Sequence, residues 1–145
     1  MTRHIALGVM LLLAGCARDD REARRRATGP NAVLADYLRV ADAGAGGRSF
    51  AACAACRTVR QNAPDAGGPN LYGVMGKPVT GASARFAYTA ALQSVGGVWT
   101  PARMDRWLRS PAAFAPGTRM AFAGIADPLE RADVIVFLSS QGPTR

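Results

Sequence analysis

The sequence predicts an all-α domain of three to five short helices joined by long loops. Three observations carry this. No strand-like alternation of apolar and polar residues persists anywhere in the 145 residues. Two helix starts are spelled out by a capping residue followed by a first-turn proline, Thr100-Pro101 and Asp127-Pro128. Between 58 and 81 no helical period survives, and glycine and proline dominate, which predicts a loop wrapped over something.

The chain divides into four parts. Residues 1–15 have a basic start at Arg3 and His4, an apolar run from Ile5 to Leu13 too short to span a bilayer, and small residues before Cys16. Leu13-Ala14-Gly15-Cys16 resembles a bacterial lipobox, which implies lipidation of Cys16 and anchorage to a membrane outside the cytoplasm. An ordinary signal peptide ending near a chance cysteine is the alternative. Residues 16–45 hold a charged tether at 17–30, too poor in large apolar side chains to fold alone, and a short helix carrying Val33, Leu34, Tyr37 and Leu38. Asn31 is expected to cap that helix and Gly44 to end it. The domain proper is expected at 46–140, and 141–145 is a tail.

Within the domain, Gly46 to Cys56 reads as a helix with Phe50 inward and a thin glycine and alanine face that another helix can approach. Ser83 to Leu92 reads as a second, with Phe86 and Tyr88 on different sides. The third starts at Pro101, carries Met104, Trp107 and Leu108, and stops at Pro111. A loop from Ala112 to Gly124 leads to the last helix, with Asp127 as cap, Glu130 three residues on, and Val134, Ile135, Phe137 and Leu138 on its apolar side. So few large core side chains in about a hundred residues suggest that a cofactor completes the core.

Composition excludes several functions. The only histidine is His4, inside the expected leader, so the mature chain has no histidine-based catalytic pair or zinc site. Beyond Cys16 only Cys53 and Cys56 remain, too few for structural zinc. No basic stripe interleaved with aromatics accompanies the net charge of +8, which argues against nucleic acid. Acidic partners fit better, either an anionic membrane surface or an acidic patch on another protein.

The stretch Cys53-Ala54-Ala55-Cys56-Arg57 organises the rest. Two cysteines three apart on a helical turn present both thiols to one side, as covalent haem attachment requires, but arginine stands where histidine would complete the motif. Around it lie Phe50, Gly68-Pro69-Asn70-Leu71-Tyr72-Gly73, Phe86-Ala87-Tyr88, Trp99, Trp107-Leu108-Arg109-Ser110-Pro111 and Pro116-Gly117-Thr118-Arg119-Met120. Taken singly, Met120 reads as a gap-filling loop methionine, Pro69 as a turn residue, and Trp99 and Trp107 as core. In this order and spacing, from about Gly46 to Leu138, the chain resembles class I (monohaem) cytochrome c.

That resemblance implies a cytochrome c-like fold around a covalent haem c, bonded through Cys53 and Cys56. By position, Met120 is the axial thioether ligand, a type that raises reduction potential. Pro69 orients the opposite ligand, and Tyr88 and Trp99 hydrogen-bond a propionate. Trp107 is the aromatic near the methionine sulfur. Met75 and Met104 are expected in the core. The implied function is a single-electron carrier, not an enzyme, working as a monomer between redox proteins of the bacterial periplasm, with Arg60, Arg85 and Arg119 facing an acidic partner.

Arg57 departs from the family. A guanidinium stays protonated and has no lone pair to give iron. Family attachment machinery reads the histidine, so low haem occupancy is predicted. With haem attached, an open coordination position would favour ligand binding and weak peroxidase-like chemistry. Lys77, the only lysine, is expected in a distant loop and not as a substitute ligand. The alternative is a haem-free or poorly loaded degenerate cytochrome lipoprotein acting as a binding or structural module, its cysteines free to oxidise to a disulfide. A dithiol oxidoreductase is weaker, because no βαβ pattern surrounds the cysteines.

Overall fold

A computed structural model describes residues 16–143, with side chains from Asp20 onward. The expected leader at 1–15 lies outside the described residues. Seven helices follow in order: α1 Cys16–Thr28, α2 Leu34–Val40, α3 Ala43–Phe50, α4 Ala90–Val95, α5 Pro101–Arg109, α6 Pro111–Phe114 and α7 Pro128–Ser140. Among the described residues there is no strand, only an isolated antiparallel bridge between Pro78 and Val98.

The most extensive helix packing joins α3 to α7. Glycine makes it possible. A Cβ on Gly46 would stand 2.0 Å from the Asp133 carbonyl oxygen, so only a bare backbone permits this approach. Gly47 leaves room for the Phe137 ring, which lies 5.3 Å from Phe50 between centroids. Asp42 caps α3 by accepting from Ala45 N at 2.5 Å. The helix ends at Phe50, and residues 51–56 continue as turns, so the cysteines sit just beyond its end rather than inside it.

The caps of α5 and α7 are those the sequence specifies. Thr100 accepts from Arg103 N at 3.3 Å, and Asp127 accepts from Leu129 N at 3.1 Å. α5 buries Met104, Asp105 and Leu108, while α7 buries Leu129, Val134, Ile135 and Leu138. The two helices are tied by Arg131, 3% exposed, whose Nε donates to Asp105 at 2.6 Å. Arg131 Nη1 also donates to the carbonyls of Ile125 and Ala126 at 2.9 and 2.7 Å, fixing the loop that leads into α7.

Besides the early end of α3 and the short helix α6 inside the expected 112–124 loop, four local expectations differ from the structure. Asn31 caps nothing: α2 begins after Val33, whose N–H donates to Asp36 at 3.0 Å instead. α2 ends at Val40, and Gly44 lies inside α3. Residues 83–89 are not helical, because Thr89 caps a later helix, α4; Phe86 and Tyr88 therefore pack on each other edge to face, 5.0 Å apart, instead of facing different sides. The stretch expected as a solvated tether contains helix α1. Its arginines find acids at the start of α7: Arg21 meets Asp127 at 2.5 Å and Glu130 at 3.2 Å, and Arg24 meets the buried Asp133 at 2.6 Å. Composition shows that 17–30 cannot make a core of its own. It does not show that α7 offers three carboxylates placed to receive it.

Candidate functional site

A cavity of about 610 Å³ opens in the middle of this scaffold, within the range of small-molecule sites. Its floor is the apolar core, including Phe50, Leu92, Leu108, Val134 and Leu138. Every residue singled out for cofactor binding lines it: Cys53, Cys56, Pro69, Tyr88, Trp99, Trp107 and Met120, together with Arg57. They come from six separate stretches of chain, so the gathering is a product of the fold.

The cysteine wall is built by the turns after α3. Cys53 N donates to the Phe50 carbonyl at 2.8 Å, and Cys56 N to the Cys53 carbonyl at 3.0 Å. Cys53 is half-buried and Cys56 exposed. Burial pushes the Cys53 thiol up from its ordinary pKa, with Arg57 pulling weakly the other way.

The 58–81 loop folds back against this turn, and Asn70 holds it. Its amide donates to the Arg60 and Ala63 carbonyls, both at 2.9 Å, while its oxygen accepts from Tyr72 N at 3.0 Å. Asp65 joins by accepting from Asn70 N and from the Ser83 hydroxyl. The first of these contacts, then the second, holds its carboxyl below the ordinary value. The loop thereby presents Gly67 and the buried Pro69 to the cavity. Asn70 belongs to the sequence motif, but no spacing rule assigned it this task.

Met120 sits on a loop braced at both ends. Thr118 Oγ1 accepts from Met120 N at 3.3 Å, and Thr118 N donates to the Ala115 carbonyl at 2.9 Å. Beyond it, Gly124 takes φ +101°, and a Cβ there would stand 2.0 Å from the Arg109 carbonyl oxygen. Ile125 N donates to the Leu108 carbonyl at 2.8 Å. Phe114 stacks on Trp99 at 5.6 Å and meets Trp107 edge-on at the same distance, so the aromatic wall is a three-ring cluster. Phe114 gave no signal in the sequence beyond being apolar.

The polar tips differ in availability. The Trp99 indole N–H, expected to serve a propionate, donates to the Val79 carbonyl at 3.1 Å. The Tyr88 hydroxyl accepts from Ser83 N at 3.1 Å, which leaves its proton to donate. Burial is the main cause that pushes its pKa up, so it stays a donor at neutral pH. Met104 is in the core at 4% exposed, and Met75 packs against it. Arg60, Arg85 and Arg119 are all exposed, and Arg119 also lines the cavity.

Arg57 lies against Gly68. A Cβ on that glycine would stand 1.6 Å from Arg57 Nη1, and the same nitrogen donates to the Cys56 carbonyl at 3.0 Å. The lining fits a flat, largely apolar macrocycle: two thiols and the Met120 thioether sulfur share one cavity, and Arg57 beside them offers no lone pair to a metal. Among the described residues no cluster of three histidine, cysteine, aspartate or glutamate side chains offers any other metal site.

No protein-family model matches the chain. Individual relatives do. It is 40% identical over 103 residues to a cytochrome c homolog of Bradyrhizobium diazoefficiens, covering 71% of this chain and 56% of that protein. It is 47% identical over 73 residues to the cytochrome c of Trypanosoma brucei brucei, covering 50% of this chain and 77% of that one. Against the cytochrome c homologs of Bradyrhizobium and Rickettsia felis the chain spans only 56% and 61% of their length. Among solved structures, cytochrome cH from Methylobacterium extorquens aligns at 40% identity with a TM-score of 0.61, covering 68% of this chain and 98% of that one. The helices, the cavity that seven expected residues share, and these relatives agree: the chain belongs to the class I c-type cytochrome family.

Proposed function

We propose that the chain is a single-electron carrier holding haem c through Cys53 and Cys56, with Met120 as an axial ligand. The observation that carries the reading is the convergence of both cysteines, Met120 and the aromatic wall on one apolar cavity. The haem would supply the redox centre. The chain's own residues would hold it and exclude water: Phe50, Trp99 and Leu108 pack around the cavity, and the Tyr88 hydroxyl is free to donate to a carboxylate. Electron transfer needs proximity and a tuned potential rather than acid–base groups. Exposed Arg60, Arg85 and Arg119 suit a redox partner with an acidic patch. Lipidation at Cys16 would anchor the carrier in the periplasm as a monomer. Among the described residues no helix is long and apolar enough to cross a membrane.

One observation favours a second reading, a poorly loaded degenerate cytochrome: Arg57 cannot ligate iron. A visible spectrum of the exported protein after dithionite and pyridine separates the two. A c-type haemochrome with two saturated vinyls supports the carrier, and a featureless spectrum leaves the haem-free module. Arg57→His is expected to raise the haem-loaded yield several-fold and sharpen the reduced bands. An unchanged yield would mean that this position does not limit loading.

A further inference from the structure

Arg57 is a cation without a counter-charge. Among the described residues no carboxylate lies within ion-pair reach of its guanidinium, although seven other arginines do find acidic partners. Asp65, on the neighbouring loop, is already engaged with Asn70 N and the Ser83 hydroxyl. Of the other titratable groups on this part of the cavity wall, the Tyr88 hydroxyl holds its proton at neutral pH, and Cys53 and Cys56, thioethers in the haem-bearing form, carry no charge. Arg57 lines the cavity, its guanidinium held at the Cys56 carbonyl and against Gly68. One of its five N–H donors is used on the Cys56 carbonyl. A half-buried cation against an apolar cavity calls for an anion.

Resting on the haem-bearing reading above, we infer that Arg57 makes the cysteine side of the cavity a binding site for a small inorganic anion. The anion occupies the coordination position for which the chain has no nitrogen, and the guanidinium holds it by charge-assisted hydrogen bonds. The alternative source of negative charge is a carboxylate of the haem itself. The small anion is preferred because the one hydrogen bond of Arg57 Nη1 goes to the Cys56 carbonyl, and its guanidinium lies against Gly68, on the cysteine wall.

Azide is the probe, titrated into the ferric, haem-loaded full chain and followed by the shift of the Soret band. Each sample is normalised to its pyridine haemochrome. The wild-type protein is expected to bind azide saturably, and Arg57→Gln to weaken it about tenfold or more through loss of the charged donor. Arg57→Lys, which keeps the charge, is expected to retain most of the affinity. Arg57→His is expected to lose azide binding because its own nitrogen fills the position. Equal azide affinity in the wild type and the Gln variant overturns the inference, and is what pairing with a haem carboxylate would give. Undiminished azide binding in the His variant also overturns it, by placing the anion on the Met120 side. Protein with no haemochrome at all removes this inference and the carrier reading together. Loaded protein whose azide affinity is indifferent to residue 57 removes this inference alone.

Discussion

Burial separates the two thiols at the mouth of the cavity. Cys53 is half-buried and its pKa is raised above the ordinary value of 9.0, whereas Cys56 is exposed. In the haem-free, reduced chain, iodoacetamide at pH 8 is therefore expected to label Cys56 first, because the thiolate is the nucleophile and access governs its encounter. Peptide mapping over time checks this, and equal rates would show that the turn is open in solution. The raised thiol also sets a sign for stability. Its contribution is full below 9.0 and is lost as pH rises through the higher folded value, so the haem-free fold is expected to weaken on the alkaline side. At this scale the order and spacing of the cysteine pair, Pro69, Tyr88, Met120 and both tryptophans single out residues that the fold brings to one cavity. What was not legible is where each donor is spent. The Trp99 indole N–H goes to Val79 because residues 76–79 pair with 97–99, a contact across 20 positions that no local pattern encodes.

The elements that the sequence marks most clearly are those started by a cap and a proline. α5 and α7 begin where Thr100-Pro101 and Asp127-Pro128 place them, because those signals act through hydrogen bonds within one turn. α4 was displaced and α1 unexpected, since the first has only six residues and the second owes its partners to a distant helix. The crossing of α3 and α7 yields a test at this level. Gly46→Ala adds a methyl that would meet the Asp133 carbonyl oxygen at 2.0 Å, and a backbone atom cannot swing aside as a side chain can. A loss of about 1–3 kcal/mol is expected on thermal or urea unfolding. The cost at Gly44 should be far smaller, because its nearest neighbours at 3.2 and 3.7 Å are side-chain atoms of Asp42 and Arg48. Equal losses at the two glycines would show that the helices do not cross this closely.

For the molecule as a whole, the docking of α1 onto α7 adds charge pairs to a fold already held by its apolar centre and by the buried Arg131–Asp105 pair. The pairs are unequal. Arg24 reaches Asp133, whose side chain is only 4% exposed and also accepts from Asp42 N at 2.8 Å. Arg25 pairs with Asp127 while 46% exposed itself. Arg24→Ala is therefore expected to cost about 1–3 kcal/mol by leaving a buried carboxylate short of a donor. Arg25→Ala is expected to cost under about 1 kcal/mol, and to cost less as salt is added. Chemical denaturation at two ionic strengths measures both, and the reverse ranking would place α1 elsewhere.

That docking has a consequence for reach. α1 begins at Cys16, the residue proposed to carry the lipid, and thirteen residues wound as a helix extend only about 20 Å, against about 45 Å when stretched out. A leash shortened in this way would keep the redox cavity close to the bilayer. Its search for partners would then run mainly in two dimensions, among proteins standing on the same sheet of lipid. Salt strong enough to release the arginines would lengthen the leash and let the domain sample a deeper layer.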